Sequence, residues 1–167
     1  MTRKRPNSLH ARRTRRSLLV AAGTLSASVL VAVLIALRPA YAGEEMIVYK
    51  SPSCGCCGAW VKHVQKAGLR VRVINRADMA SIREKLGMPA DLASCHIAAI
   101  DGYIVEGHVP ADAIKKLLAE RPDAVGLFAP GMPLGSPGME SPDGAASYDV
   151  ILLHRNGSRE VFARYGD

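Results

Sequence analysis

Between residues 46 and 120 the apolar positions switch repeatedly between strand-like and helical spacing. Met46-Ile-Val-Tyr49 is a short apolar run that predicts a strand over Met46–Lys50. Trp60, Val61, Val64 and Ala67 then recur at helical spacing, which predicts a helix over Cys57–Ala67 ending at Gly68. Leu69–Ile74 returns to alternation, with Val71 and Val73 on one face. A second helix is expected over Ala80–Leu86, capped by Asp78 and stopped by Gly87 and Pro89. His96–Ile100 and Tyr103–Glu106 flank Asp101-Gly102, a hairpin turn signal. Pro110 opens a third helix, Ala111–Glu120, with Ile114, Leu117 and Leu118 on its buried face. The order β-α-β-α-β-β-α makes the fold class α/β, of a thioredoxin-like layered kind.

The pattern breaks at residue 121. Arg121 to Gly144 holds five Pro and five Gly, which predicts a loop rather than a regular helix or central strand. So long a loop is a lid, a binding loop or disordered. Leu127, Phe128, Leu134, Met132 and Met139 give it more apolar surface than a solvated linker carries. Tyr148–His154 and Arg159–Tyr165, on either side of Asn156-Gly157, then read as a closing C-terminal β-hairpin.

Charge divides the chain in two. The 167 residues carry a formal charge of +7, but residues 1–42 hold eight Lys/Arg and no acid. The remaining fourteen Lys/Arg face fifteen Asp/Glu, so residues 43–167 are nearly neutral. The basic balance therefore argues for no nucleic-acid partner. It belongs to what reads as an export signal. Arg3-Lys-Arg5 and Arg12-Arg-Thr-Arg-Arg16 precede the apolar run Leu18–Leu37, and Ala40-Tyr-Ala42 offers a small-x-small cleavage site. Thr14-Arg-Arg-Ser-Leu-Leu19 also resembles the twin-arginine export signal. A retained membrane anchor is the alternative, since about twenty apolar residues span a bilayer. Either way residues 43–167 form one domain that faces an oxidising compartment, and the expected location is the periplasm.

The candidate chemistry is sulfur. Three of the four cysteines fall in Cys54-Gly-Cys56-Cys57, between a predicted strand and helix, and the fourth, Cys95, precedes His96. Unpaired N–H groups and the dipole of a helix N-terminus favour thiolate over thiol. Cys54 and Cys57 have the spacing of a redox dithiol. Cys56 complicates that reading, because a third thiol would attack any bridge between the other two. Cys54, Cys56, Cys57 and Cys95 together make an all-sulfur set, and such sets select zinc, copper(I) or iron–sulfur clusters. Adjacent, crowded thiolates suit copper(I) at low coordination better than tetrahedral zinc, which draws on separated pairs. Two plain disulfides are the bland alternative, although a bridge across Cys54–Cys57 closes almost no loop.

Other donors are weaker candidates. Met132 and Met139 become thioether ligands if the loop lies over the sulfurs, whereas packing is the commoner role. His96 should point away from Cys95 if both lie in a strand. His63, two turns beyond Cys56, reads as a surface residue. His108 is placed to reach the site from the end of the second hairpin strand, with a hydrogen-bonded loop histidine as the alternative. Trp60 should pack under the cysteine turn.

Val48-Tyr-Lys-Ser-Pro-Ser-Cys54-Gly-Cys56-Cys57-Gly-x-Trp60, Ser94-Cys95-His96, Glu106-Gly-His108-Val-Pro-Ala and Gly131-Met132-Pro-x-Gly-Ser-Pro-Gly-Met139-Glu together resemble the CopG-like copper-resistance family. The resemblance covers about residues 46–155. It implies a periplasmic, thioredoxin-like protein that binds copper as a thiolate site or cluster through Cys54, Cys56, Cys57 and Cys95. It also implies copper redox interconversion, for which Cys54 and Cys57, by their redox-dithiol spacing, are the candidate catalytic pair. The chain departs from thioredoxins proper in having no proline just before His96, where a cis-proline would shape a peptide groove.

Three functions are compatible with these residues: a copper-binding protein with oxidoreductase character, a passive copper chaperone or buffer, and a thiol–disulfide oxidoreductase. The expected partners are copper ions and other periplasmic copper-handling proteins, with membrane contact only through an uncleaved leader. Intact-mass analysis of the exported protein should find a mature N-terminus at Gly43. Replacing Arg15 and Arg16 with Lys should block export if the twin-arginine route carries it.

Overall fold

The alternating and helical patterns form the elements they predict, with small shifts at the ends. The computed structural model describes residues 44–142 and 144–166; the leader and its cleavage site lie outside the described residues. Strand β1 (Met46–Lys50) leads into helix α1 (Gly55–Lys66), and β2 (Val71–Asn75) into α2 (Met79–Lys85). A 3-10 turn at Ala90–Leu92 precedes β3 (His96–Ile100) and β4 (Tyr103–Gly107). Helix α3 (Ala111–Glu120) follows, then β5 (Ala124–Ala129), β6 (Tyr148–His154) and β7 (Arg159–Tyr165). The strands form one mixed sheet in the order β2-β1-β3-β4-β5-β6-β7.

The helix ends follow local chemistry. Asp78 caps α2 by accepting from the Ser81 N–H at 3.0 Å. Pro110 precedes α3 with no side-chain cap, and a histidine takes that role: the Ala111 N–H donates to His63 Nε2 at 3.1 Å. His63 is therefore a half-buried capping residue rather than the surface residue its position on α1 suggested.

Most of the core lies on the sheet face that carries Met46, Val48, Ala98, Ile100 and Val105, against Trp60, Val61 and Val64 of α1 and Ile114 and Leu117 of α3. A smaller cluster, Leu92, Phe128 and Leu153, belongs to the other core group. Val73 is 40% exposed, because β2 is an edge strand paired only with β1.

A larger expectation, about the segment after α3, is also overturned. Residues 124–129 belong to the stretch read as loop, yet β5 is an inner strand, parallel to β4 and antiparallel to β6. The physical reason is that the prolines stand outside it. Pro122 and Pro130 bracket the uninterrupted apolar run Ala124-Val-Gly-Leu-Phe-Ala129, which keeps every ladder N–H. Gly126 fits for a second reason. A Cβ there would stand 1.7 Å from the Ile104 carbonyl oxygen of β4. Among the described residues no helix is long and apolar enough to cross a membrane.

Gly126→Ala should consequently push β5 off β4. We expect a loss of about 1–3 kcal/mol, at the upper end of that range because the obstacle is backbone. The midpoint of urea unfolding measures it.

Candidate metal centre

The cysteine turn is built by the start of α1. Cys54 is the N-cap residue, and its sulfur accepts from the Cys57 N–H at 3.3 Å. Cys56 and Cys57 thus occupy the first helical turn. Cys54 and Cys57 are joined as a disulfide, while Cys56 and Cys95 carry free thiols. The Cys56 sulfur lies 3.4 Å from that of Cys54, within contact of the bridge.

The second segment arrives through sheet pairing. Strands β1 and β3 are antiparallel with Lys50 opposite His96, so the chain leaves β1 at the end where it enters β3. Cys95 therefore meets the cysteine turn, and the Cys57 sulfur lies 3.8 Å from the Cys95 carbonyl oxygen. The sulfurs of Cys54, Cys56, Cys57 and Cys95 all fall within 4.8 Å of one another. The sequence reading grouped the same four residues.

Two histidines join Cys95. Its sulfur lies 3.0 Å from His108 Nε2 and 3.4 Å from His96 Nδ1, and the three residues form a second set of donors within 4.8 Å. His96 does not point away as strand alternation implied. Cys95 sits in a bend just before β3, outside the strand, so alternation does not govern the pair. The His96 ring packs against Trp60 with centroids 4.3 Å apart, and Trp60 is held by its own N–H donating to the Val109 carbonyl at 2.8 Å. His108 is buried, and its Nδ1 lies 2.8 Å from the Pro137 carbonyl oxygen. A carbonyl only accepts, so Nδ1 carries the proton and Nε2 presents its lone pair to Cys95. A metal-binding histidine is oriented in the same way.

Burial keeps these groups uncharged. Desolvation lowers His96 to about 3, with the neighbouring His108 adding to it, and desolvation also lowers His108. The Cys95 thiol is pushed up to about 11, first by burial and then by the charge of Cys56. The pair is a thiol donating to a neutral imidazole.

The Gly/Pro-rich loop covers part of the site. Pro137 supplies the carbonyl for His108, and Gly138 presses on the α1 turn so closely that a Cβ would lie 2.7 Å from the Cys56 oxygen and 2.7 Å from the Trp60 nitrogen. Met139 is half-buried within the loop, whereas Met132 is 56% exposed. One polar group was not anticipated by sequence reasoning. Glu106 is fully buried on β4, bonded to Arg83 of α2 and to the Ser94 N–H. Burial raises its pKa, and the bonds from Arg83 and Ser94 oppose the rise. The signal was an acidic residue ending an apolar strand, which demands a partner when buried.

Known proteins resemble this chain over most of residues 43–167. The family model described as "Protein of unknown function, DUF411" matches residues 92–139. A solved structure titled copper resistance protein CopG, Form 1, is 45% identical over 75% of this chain and 99% of its own, with a TM-score of 0.70. Form 2 is 46% identical over 72% of this chain and 97% of its own, with a TM-score of 0.69. The chain belongs to the CopG copper-resistance family. A search of curated proteins found no match. As a CopG-family member, the chain is a copper-resistance homologue whose cysteine cluster is arranged to accept a metal ion. The region matched by the family model holds Cys95, His96, Glu106, His108 and most of the loop, while the Cys54–Cys57 turn lies before it.

With the Cys54–Cys57 bridge intact and no metal added, Cys95 should alkylate with iodoacetamide at pH 8 about 100-fold more slowly than a thiol of ordinary pKa. Its rate should still be climbing as the pH passes about 11, where half of the thiol is ionised. Mass spectrometry of the alkylated peptides measures the rate.

Proposed function

We propose that this protein is a periplasmic copper-binding protein with oxidoreductase character, holding copper(I) on Cys54, Cys56, Cys57 and Cys95. The observation that carries the reading is the convergence of four sulfurs within 4.8 Å from two separate segments. Soft, crowded sulfur donors favour copper(I) over zinc. His108 Nε2, already turned on Cys95 at 3.0 Å, is a further donor on the same side. The cysteine turn between β1 and α1 and the order β1-α1-β2-α2-β3-β4-α3 support a thioredoxin-like scaffold. Cleavage after Ala42 would release residues 43–167 as the working domain.

The bridge supplies the redox half of the proposal. In the disulfide, Cys54 and Cys57 have no thiolate to offer a metal, so the bridged and copper-loaded forms exclude each other at these two sulfurs. Closing the bridge from two thiols releases two electrons and two protons. Two copper(II) ions take up those electrons and become two copper(I) ions. Reopening it needs a two-electron dithiol reductant. Cys54 and Cys57 are thus the redox pair, while Cys56 and Cys95 stay reduced throughout.

A second reading, a thiol–disulfide oxidoreductase with incidental metal binding, is favoured by the same bridge. A passive chaperone or buffer would use the same ligands without turnover. Anaerobic copper(I) titration separates the readings. The reduced protein should bind more copper than the bridged form, and zinc at equal concentration should not displace it. Cys56→Ser and Cys95→Ser should each lose much of the copper while keeping a folded circular-dichroism spectrum. The losses should be non-additive, because ligands of one site act together. Full loading of Cys95→Ser would sink the four-sulfur site and return the thiol oxidoreductase to first place. Consumption of one bridge's worth of thiol for every two copper(II) ions reduced would separate the oxidoreductase from a buffer.

A further inference from the structure

The carboxylate of Glu106 is buried on the sheet face opposite Trp60 and His96, since its neighbour in register is Ile97. Burying an ion pair is poor value for stability alone, because well-packed apolar residues of the same volume do as well or better. The geometry of this pair is also not that of a symmetric fork. Glu106 Oε1 accepts from Arg83 Nε at 3.0 Å, from Arg83 Nη2 at 2.7 Å and from the Ser94 N–H at 2.7 Å. Oε2 has no hydrogen-bond partner among the described residues. Arg83 Nη2 also donates to the Ser94 carbonyl. Carboxylate and guanidinium therefore grip the main chain of Ser94 at both its N–H and its C=O.

Two further contacts fix the same residue. The Ser94 hydroxyl donates to the Gly131 carbonyl of the loop. Gly107, next to Glu106, lets Ser94 approach β4, for a Cβ there would stand 2.6 Å from both Cβ and Oγ of Ser94. Ser94 is bonded to Cys95, whose sulfur has to meet His108 and the cysteine turn from a bend that no strand ladder holds.

We propose that the Glu106–Arg83 pair is a positioning clamp for Cys95, holding the Ser94–Cys95 peptide so that this sulfur stays aligned with the other three and with His108. Neither residue touches the metal; both act through Ser94. The effect on copper rests on the function proposed above, whereas the effect on the Cys95 thiol does not.

The test uses the full chain, purified as the cell delivers it, with Arg83→Met, Arg83→Lys and Glu106→Gln, and with Arg121→Gln at the exposed Asp101 pair as control. The first readout is the alkylation rate of Cys95 relative to Cys56 in bridged, metal-free protein. The second is copper(I) affinity of reduced protein, followed with the thiolate–copper absorption band. Arg83→Met should raise the Cys95-to-Cys56 ratio, shift the band and weaken copper(I) by about 10-fold or more, as loss of a ligand-orienting partner does. Arg83→Lys should recover most of both, because an ammonium can still donate to Glu106 and to the Ser94 carbonyl. Glu106→Gln should fall between them, and Arg121→Gln should match the parent. A merely structural pair would lower the unfolding midpoint without changing the ratio of the two thiols. If Arg83→Met does not fold, the ratio in Glu106→Gln decides. An unchanged ratio in folded variants, with parental copper affinity, overturns the clamp and leaves the copper reading standing. A changed ratio in a protein that binds no copper upholds the clamp and rejects that reading.

Discussion

The antiparallel ladder between β1 and β3, with Lys50 opposite His96, is the constraint on which the site depends. It brings the exit of one strand and the entrance of the other to the same end of the sheet. What leaves β1 is the cysteine turn, and what enters β3 is Ser94-Cys95. Residues forty positions apart in the chain become neighbours only through this register. A slip of one residue would turn His96 to the other face of the sheet and take it off Trp60. Lys50, itself nearly buried, steadies the same corner by donating from Nζ to the Ser51 carbonyl at 2.7 Å.

Around that corner the protein keeps sulfur and imidazole close but uncharged. Burial opposes a Cys95 thiolate and opposes protonated His96 and His108, so the metal-free state is a set of neutral donors. Metal binding asks the opposite of the sulfurs, which must ionise to act as ligands. A soft cation reconciles the two, because it supplies the positive charge that buried thiolates lack. The disulfide reconciles them differently, by removing the ionisable groups altogether. Under the proposed function both outcomes fall to the same two cysteines, which couples metal binding to redox chemistry.

The loop after β5 completes the enclosure without regular structure. Gly138 lies against the α1 turn, and the Pro137 carbonyl sets the tautomer of His108. Gly131, hydrogen-bonded to Ala93 and bridged to Ser94, ties the other end of the loop to the Cys95 segment. Prolines and glycines that rule out a ladder over residues 130–142 are suited to these close approaches.

Local pattern by itself determined a large part of this protein. The bounds of β6, β7 and α3, the Asp78 cap and the cysteines at the start of a helix were all legible, because each rests on neighbours within a turn or a pleat. The grouping of Cys54, Cys56, Cys57 and Cys95 was legible through their chemistry and through the family resemblance. Tertiary structure alone decided what depends on distant partners. The run 124–129 looked like loop because prolines surround it, and only pairing with β4 and β6 makes it an inner strand. His96 turned toward Cys95 because a bend separates them, which no strand periodicity encodes. His108 and Glu106 stand two residues apart, yet one faces the sulfurs and the other meets Arg83 on the opposite side. Gly107, at a positive φ of 78°, lies between them and breaks the alternation. Period and propensity are read over a few residues, whereas the partner of a buried charge or a lone pair is set by sheet register and by which loop closes over it.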